Sequence, residues 1–348
     1  MKGNHNMKDI LVGINYFAGW WEPLPNKWHK HKSSFDTECG EDWQEEFPDR
    51  VPLLGCYNDQ ETMNKEIVAA ADNGVNFFAI LWYKCNPKEP NSQFLNNGTK
   101  CFIASPNAKR MNFYIEFVNH PPCEVRTEQE WQECLAAWSD MFKHPSYLKI
   151  GNRLVFKIHG AGHFMDQNDK DIARCKAQIK SLRETARKAT GLEMIIGGGV
   201  MAQGVAAGNP VTELFDFTCT YGDIPPLVQR KENYPYEILA DVGRAARFNH
   251  CRDPIAYMPY LMAGWNPGPW PDNRAYFELP TREQWSLELK RMKEDLLVYP
   301  NMGLPLPDGT LQPAFTCYAW NEFGEGGFIA PTQGDQYMKL EEIKKYFG

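Results

Sequence analysis

The sequence predicts an α/β fold, a single (β/α)8 barrel with long loops at the C-terminal face, with residues 1–348 as one domain. Three observations carry that reading. Eight short apolar runs alternate along the chain with seven or eight helical patterns, the order of a parallel sheet with crossover helices. No GxGxxG follows the first run and no P-loop occurs, which argues against the structural alternative, a doubly wound open sheet. The C-terminal ends of the runs also collect aromatic and acidic residues, and a barrel gathers all of those ends at one mouth.

Residues 10–17 (Ile-Leu-Val-Gly-Ile-Asn-Tyr-Phe) are apolar and β-branched, as a buried parallel strand requires, and lead into Tyr16, Trp20 and Trp21. A polar, Pro-bearing segment then runs from Glu22 to Pro52 with Trp28, His29, His31 and Trp43, and long loops inside compact domains usually serve function. Asp59 caps a helix with the apolar stripe Met63, Ile67, Ala70 and Ala71, ended by Asn73-Gly74. Val75 to Tyr83 is the second strand and finishes in Trp82 and Tyr83. The crossover 84–110 is irregular, with a short helix around Ser92 to Leu95 as its one candidate element. Asn112 to Val118 is the third strand, with Glu116 embedded in it.

Thr127-Glu128-Gln129-Glu130 is a capping box, and Trp131, Leu135, Trp138 and Phe142 form the face of the helix it opens. Leu154 to Ile158 is the fourth strand, followed by the loop His159-Gly160-Ala161-Gly162-His163 and a helix with the face Ile172, Cys175, Ile179, Leu182 and Ala186. Met194-Ile195-Ile196 and Phe215 to Thr220 are strands five and six, the latter ending in Tyr221; the Gly-rich stretch 197–209 between them has a weak helical pattern. Tyr236 to Asn249 is a helix, and Ile255 to Leu261 a seventh strand that opens into Met262 to Trp270. A second capping box, Thr281-Arg282-Glu283-Gln284, precedes the stripe Trp285, Leu289, Met292 and Leu296. Phe315 to Trp320 is the eighth strand, and Tyr337, Leu340, Ile343 and Phe347 line a closing helix.

Composition narrows the partners. A net charge of −7 with no long basic run argues against nucleic acid or an anionic membrane surface, which need clustered Lys and Arg. No window of about eighteen uncharged apolar residues exists, so no membrane span is expected. Eleven Trp, fifteen Tyr and twenty Phe exceed what a core needs, and sugar rings stack on such faces. The ten Cys are scattered without CxxC pairs and read as mostly reduced thiols. Met1 to Asp9 is polar and lacks the apolar core of a signal peptide; the location is periplasmic or secreted if a leader was removed and cytoplasmic otherwise.

The densest chemistry lies in Cys317-Tyr318-Ala319-Trp320-Asn321-Glu322-Phe323-Gly324-Glu325-Gly326-Gly327. In a strand, positions i and i+3 point to opposite faces, but the glycines allow a turn in which Glu322 and Glu325 converge. Read blandly, they are a solvated loop pair. At an aromatic-lined barrel mouth they are a general acid and base, because two neighbouring carboxylates in a closed site push their pKa values apart. Glu116, an acid in an apolar strand, must be paired, protonated or aimed into the mouth. Tyr16, Trp20, Trp82, Tyr83, His159, Tyr221, Trp265, Trp320 and Asn321 complete the candidate substrate-binding set, with Trp270 and Trp21 as further aromatic candidates. His159/His163 and His29/His31 invite a metal reading, yet glycines intervene in the first pair and no HExxH occurs, so neither metal nor cofactor is expected. There is no GxSxG elbow and no Cys beside a sequence-adjacent base.

These residues resemble the glycoside hydrolase family 99-like proteins, which include endo-α-mannosidases and the WbsX-like proteins of polysaccharide gene clusters. The likeness lies in Ile14-Asn15-Tyr16-Phe17, Pro52-Leu53-Leu54-Gly55, Phe77 to Tyr83, Gly151-Asn152-Arg153-Leu154-Val155-Phe156 and, as the specific element, Trp320-Asn321-Glu322-Phe323-Gly324-Glu325-Gly326. The resemblance implies a barrel that cleaves an α-linked oligosaccharide or polysaccharide with retention. It implies Glu325 as general acid/base, and Glu322 as the base that draws a proton from the sugar 2-hydroxyl, giving a transient 1,2-anhydro sugar. Phe323 and Gly324 replace the Trp and His common in the mannosidases, so the sugar stays open. The alternative is a WbsX-like polysaccharide-biosynthesis protein that transfers or binds glycan without hydrolysis. A phosphate-binding barrel isomerase or lyase fits less well, because Trp265-Asn266-Pro267 is too bulky to cradle phosphate.

Overall fold

The computed structural model describes residues 9–21, 44–85, 90–225, 233–269 and 274–348. Trp28, His29, His31, Cys39, Trp43 and Trp270 lie outside the described residues. The chain forms a (β/α)8 barrel. Its strands are Leu11–Tyr16, Phe77–Tyr83, Asn112–Val118, Arg153–Ile158, Met194–Gly199, Phe217–Cys219, a seventh in two pieces, Ala256–Met258 and Tyr260–Met262, and Ala314–Tyr318. All neighbours pair in parallel, and the eighth strand closes on the first with Leu11 opposite Ala314.

The seventh strand is broken by Pro259, which has no N–H to give the ladder. Its first piece pairs with strand six and its second with strand eight, and the Pro259 carbonyl accepts from the Thr316 amide at 3.0 Å across the break. The predicted strand over 255–261 is therefore present but divided.

The helices follow local chemistry. Asp59 caps Gln60–Ala71 through the Thr62 amide, and both capping boxes are formed, at the start of Glu128–Phe142 and of Arg282–Val298. Ile172–Thr190 and Tyr236–His250 occupy two further crossovers, and Met338–Phe347 follows the eighth strand. Three elements differ from expectation. The crossover after strand two holds a helix at Asn97–Ala104, hidden by its poor opening Asn97-Gly98; the Asn96 side chain binds the Tyr83 backbone and sets its start. His159 to His163 is no simple loop: Ala161–Gln167 is helical, with Phe164 packed on Trp131 at 6.2 Å, so packing overrides weak propensity. The fifth crossover helix is the four-residue Val211–Leu214, which starts directly after Pro210 rather than within 197–209.

The side-chain alternation of a strand decides what reaches the mouth. Asn15 and Glu116 meet inside the barrel, whereas Tyr16, Trp82 and Phe117 point into the layer between sheet and helices, where Trp82 packs on Trp138 at 5.1 Å. Among the described residues no helix is long and apolar enough to cross a membrane.

Candidate active site

At the C-terminal end of strand eight the chain makes a small hairpin. Asn321–Glu322 pairs antiparallel with Gly327–Phe328, and Phe323–Glu325 forms a 3-10 turn between them. In a 3-10 turn side chains three apart eclipse, so Glu322 and Glu325 come to one side. Gly326 closes the turn at φ 74° with its would-be Cβ 2.7 Å from the Asn266 amide, so any larger residue would strain the turn. The outside of the hairpin is anchored: the Asn266 amide donates to the Glu325 carbonyl at 2.6 Å, and buried Arg50 donates to the carbonyls of Phe323 and Asn266 at 3.0 and 2.8 Å.

Each glutamate has its own tyrosine. Tyr221, from the end of strand six, donates to Glu322 Oε1 at 3.1 Å, and the Tyr318 hydroxyl donates to Glu325 Oε2. Burial, then the charge of Glu325, holds the Glu322 carboxyl well above the usual range, with the Tyr221 hydroxyl pulling it back. Tyr83 belongs to the same field: burial first, then Glu322, with Glu325 and Glu116 adding, pushes its hydroxyl up.

Beneath the pair lies a charged floor. Glu116 accepts from Asn15 Nδ2 at 2.9 Å and from His159 Nδ1 at 2.7 Å, and pairs with the buried Lys157 ammonium at 2.7 Å. Burial would raise the Glu116 carboxyl, but Lys157 and His159 outweigh it and keep it below the usual range. With Nδ1 facing Glu116, the rest of the His159 ring contacts Tyr221 edge-on at 4.8 Å, and Tyr221 in turn meets Tyr318 at 5.1 Å. His120 stands 5.7 Å from His159 and 6.4 Å from His163, ring to ring. Among the described residues no three or more His, Cys, Asp or Glu are grouped to hold a metal ion.

The structure thus brings Glu322, Glu325, Tyr221, Tyr83, His159 and Glu116 together, with Trp265 at the flank, its ring near Tyr318 and under the Arg274 guanidinium at 4.2 Å. Five expected ligand contacts are corrected. Tyr16, Trp20 and Trp320 are completely buried and present no face to a sugar. Tyr16 and Trp320 instead donate to Glu66 on the first helix, and Trp20 Nε1 donates to the Asn321 carbonyl. Trp82 faces the helix layer, as strand alternation dictates. The Asn321 amide is held by the Phe17 backbone, accepting from its N–H and donating to its carbonyl, both at 2.9 Å.

Sequence reasoning missed Tyr318, Lys157, Asn15 and Glu66. Tyr318 and Lys157 had a usable signal: each is a polar-tipped residue near the C-terminal end of an apolar barrel strand. Glu66 had one as well, since it falls beside Met63, Ile67 and Ala70 on the buried face of its helix.

The barrel has solved counterparts. The structure of the GH99 endo-alpha-mannosidase from Bacteroides thetaiotaomicron superposes with a TM-score of 0.59 at 14% identity, over 96% of this chain and 96% of that one. The structure of that enzyme in complex with bis-tris-propane gives a TM-score of 0.58 at 14% identity, over 97% and 96%. No family model matches the chain, and no curated protein matches it in sequence. At this identity the likeness is one of fold.

Proposed function

We propose that this chain is a retaining glycoside hydrolase acting on an α-linked oligosaccharide or polysaccharide, with Glu325 as general acid/base and Glu322 assisting the substrate 2-hydroxyl. The observation that carries the reading is the pair itself: two carboxyl groups on one 3-10 turn at the barrel mouth, each with its own tyrosine donor. The fold shared with a GH99 endo-alpha-mannosidase, and the Trp-Asn-Glu-x-x-Glu-Gly spacing, support it.

In the first step Glu322 takes the proton from O2, O2 attacks the anomeric carbon, and Glu325 gives its proton to the departing glycosidic oxygen. A 1,2-anhydro sugar results. In the second step water attacks the anomeric carbon, Glu325 takes the water proton, and Glu322 returns its proton to O2. Two inversions at one carbon give retention. Burial and the charge of Glu325 raise the Glu322 carboxyl, whereas the first step needs Glu322 ionised and Glu325 protonated. Seating the glycan puts O2–H against Glu322 and the glycosidic oxygen against Glu325. Tyr221, Tyr83, His159 and Trp265 surround the sugar, and Glu116 with Lys157 holds His159 from below.

The test compares Glu325→Gln and Glu322→Gln on a glycan pool and on 2,4-dinitrophenyl α-glycosides. Removing general acid catalysis costs about 10²- to 10⁴-fold on a poor leaving group and far less on dinitrophenolate, which leaves unprotonated. Glu325→Gln should show that difference and Glu322→Gln should fail on both. A wild-type protein that binds glycan yet releases sugar from neither would remove the hydrolase reading and leave a binding or transfer protein.

A further inference from the structure

We propose that Glu66, on the first helix and outside the mouth, is a positioning residue for this reaction, its carboxylate fixing Glu322 from both sides through Trp320 and Phe323; the proposal rests on the roles just given to Glu322 and Glu325. Glu66 is completely buried, and among the described residues no Lys, Arg or His pairs with it. Its partners are donors instead. Oε1 accepts from Trp320 Nε1 at 2.7 Å and from the Tyr57 hydroxyl, and Oε2 accepts from the Tyr16 hydroxyl at 2.6 Å. The Tyr16 oxygen is in turn used by Trp21 Nε1 at 3.0 Å.

Those contacts bracket the hairpin. Trp320 lies two residues before Glu322, and its amide donates to the Asn15 carbonyl at 2.7 Å. Phe323 follows Glu322 directly and meets the Tyr57 ring at 5.8 Å, with Trp21 on Tyr57 at 5.3 Å. Tyr57 holds this place with φ at 55°, a conformation costly to a bulky residue and kept only where surroundings over-determine it. One carboxylate thus ties the first strand, the loop before the first helix, that helix and the catalytic turn to a single geometry.

An ionised carboxylate accepts every one of these bonds. A protonated one must itself donate, and one tyrosine hydroxyl then loses its acceptor. The titratable groups facing Glu66 are Tyr16 from the first strand, Tyr57 from the loop and Cys101 from the second helix. Burial raises the Glu66 carboxyl to about 7 although the three donors pull it down, so its charge changes near neutrality.

The test follows the indole ¹H–¹⁵N signals of the full-length protein from acid to alkaline pH, with Trp320→Phe to assign Trp320, alongside hydrolysis of 2,4-dinitrophenyl α-glycosides. The Trp320 signal should titrate near neutrality in wild type and in Glu325→Gln, and stay flat in Glu66→Gln. Glu66→Gln should lower kcat on the order of 10- to 100-fold, the cost of a misplaced reacting group, with KM changed by less than about two-fold. Tyr57→Phe, which keeps Glu66 but removes a donor, should move the Trp320 midpoint to higher pH, and it decides the matter if Glu66→Gln does not fold. A Trp320 signal that does not titrate, that titrates equally in Glu66→Gln, or that is unmoved by Tyr57→Phe overturns the proposal. Failure of wild type to cleave any glycoside would instead remove the functional reading, and the indole signals would still judge the geometry.

Discussion

Tyr221, at the end of the sixth strand, donates its hydroxyl proton to Oε1 of Glu322 at 3.1 Å. Among the influences on Glu322 this bond works toward ionisation, against burial and the charge of Glu325. The barrel sets a residue just past strand six against the turn after strand eight, 101 positions away in sequence.

Tyr221→Phe tests that balance. Without the hydroxyl the Glu322 carboxyl rises further, so less of it is ionised at neutral pH. The acid limb of kcat/KM should move to higher pH, and activity near pH 7 should fall by roughly 10- to 100-fold, the worth of a hydrogen bond to a charged group. The measurement is a pH–rate profile of both proteins; superimposable acid limbs would contradict the assignment.

Gly326→Ala tests the turn. At φ 74° an added Cβ is strained, and it would meet the Asn266 amide at 2.7 Å and the Asn266 carbonyl at 3.0 Å. The turn must shift, taking Glu325 with it. Urea denaturation should show a loss of about 1–3 kcal/mol, and kcat should fall with little change in glycan affinity.

Glu66 gives a stability prediction with a definite sign. Its folded pKa, about 7, lies above the usual 4.5, so between those values the folded state binds more protons than the unfolded. The stabilisation is fully present at low pH and is lost as pH rises through 7, by roughly 3 kcal/mol in all. Urea denaturation of wild type and Glu66→Gln across pH 4 to 9 should show wild type losing ground to the variant as pH rises. Parallel curves would contradict the burial account.

Much of the barrel was legible because parallel strands buried on both faces are continuous apolar runs: Phe77–Tyr83 and Asn112–Val118 are visible as such. The sixth strand was read longer than it is and the break at Pro259 was not read, since pairing with the neighbouring strands sets both. That the two glutamates and Tyr221 come together at the mouth could be read from their positions at strand ends. The aromatic set could not. Tyr16, Trp20 and Trp320 look like sugar platforms in sequence, and only the fold reveals that strand alternation and the distant Glu66 turn them into the wall behind the turn. Trp82 was misread for the same reason: one step along a strand exchanges mouth for helix layer.

The most direct test of the central claim is the anomer first released from an α-linked glycan, followed by ¹H NMR before mutarotation, with Glu325→Gln as control. The account predicts that wild type releases the α anomer first and that the control releases almost none. A β anomer appearing first, or equal release by both proteins, would contradict it.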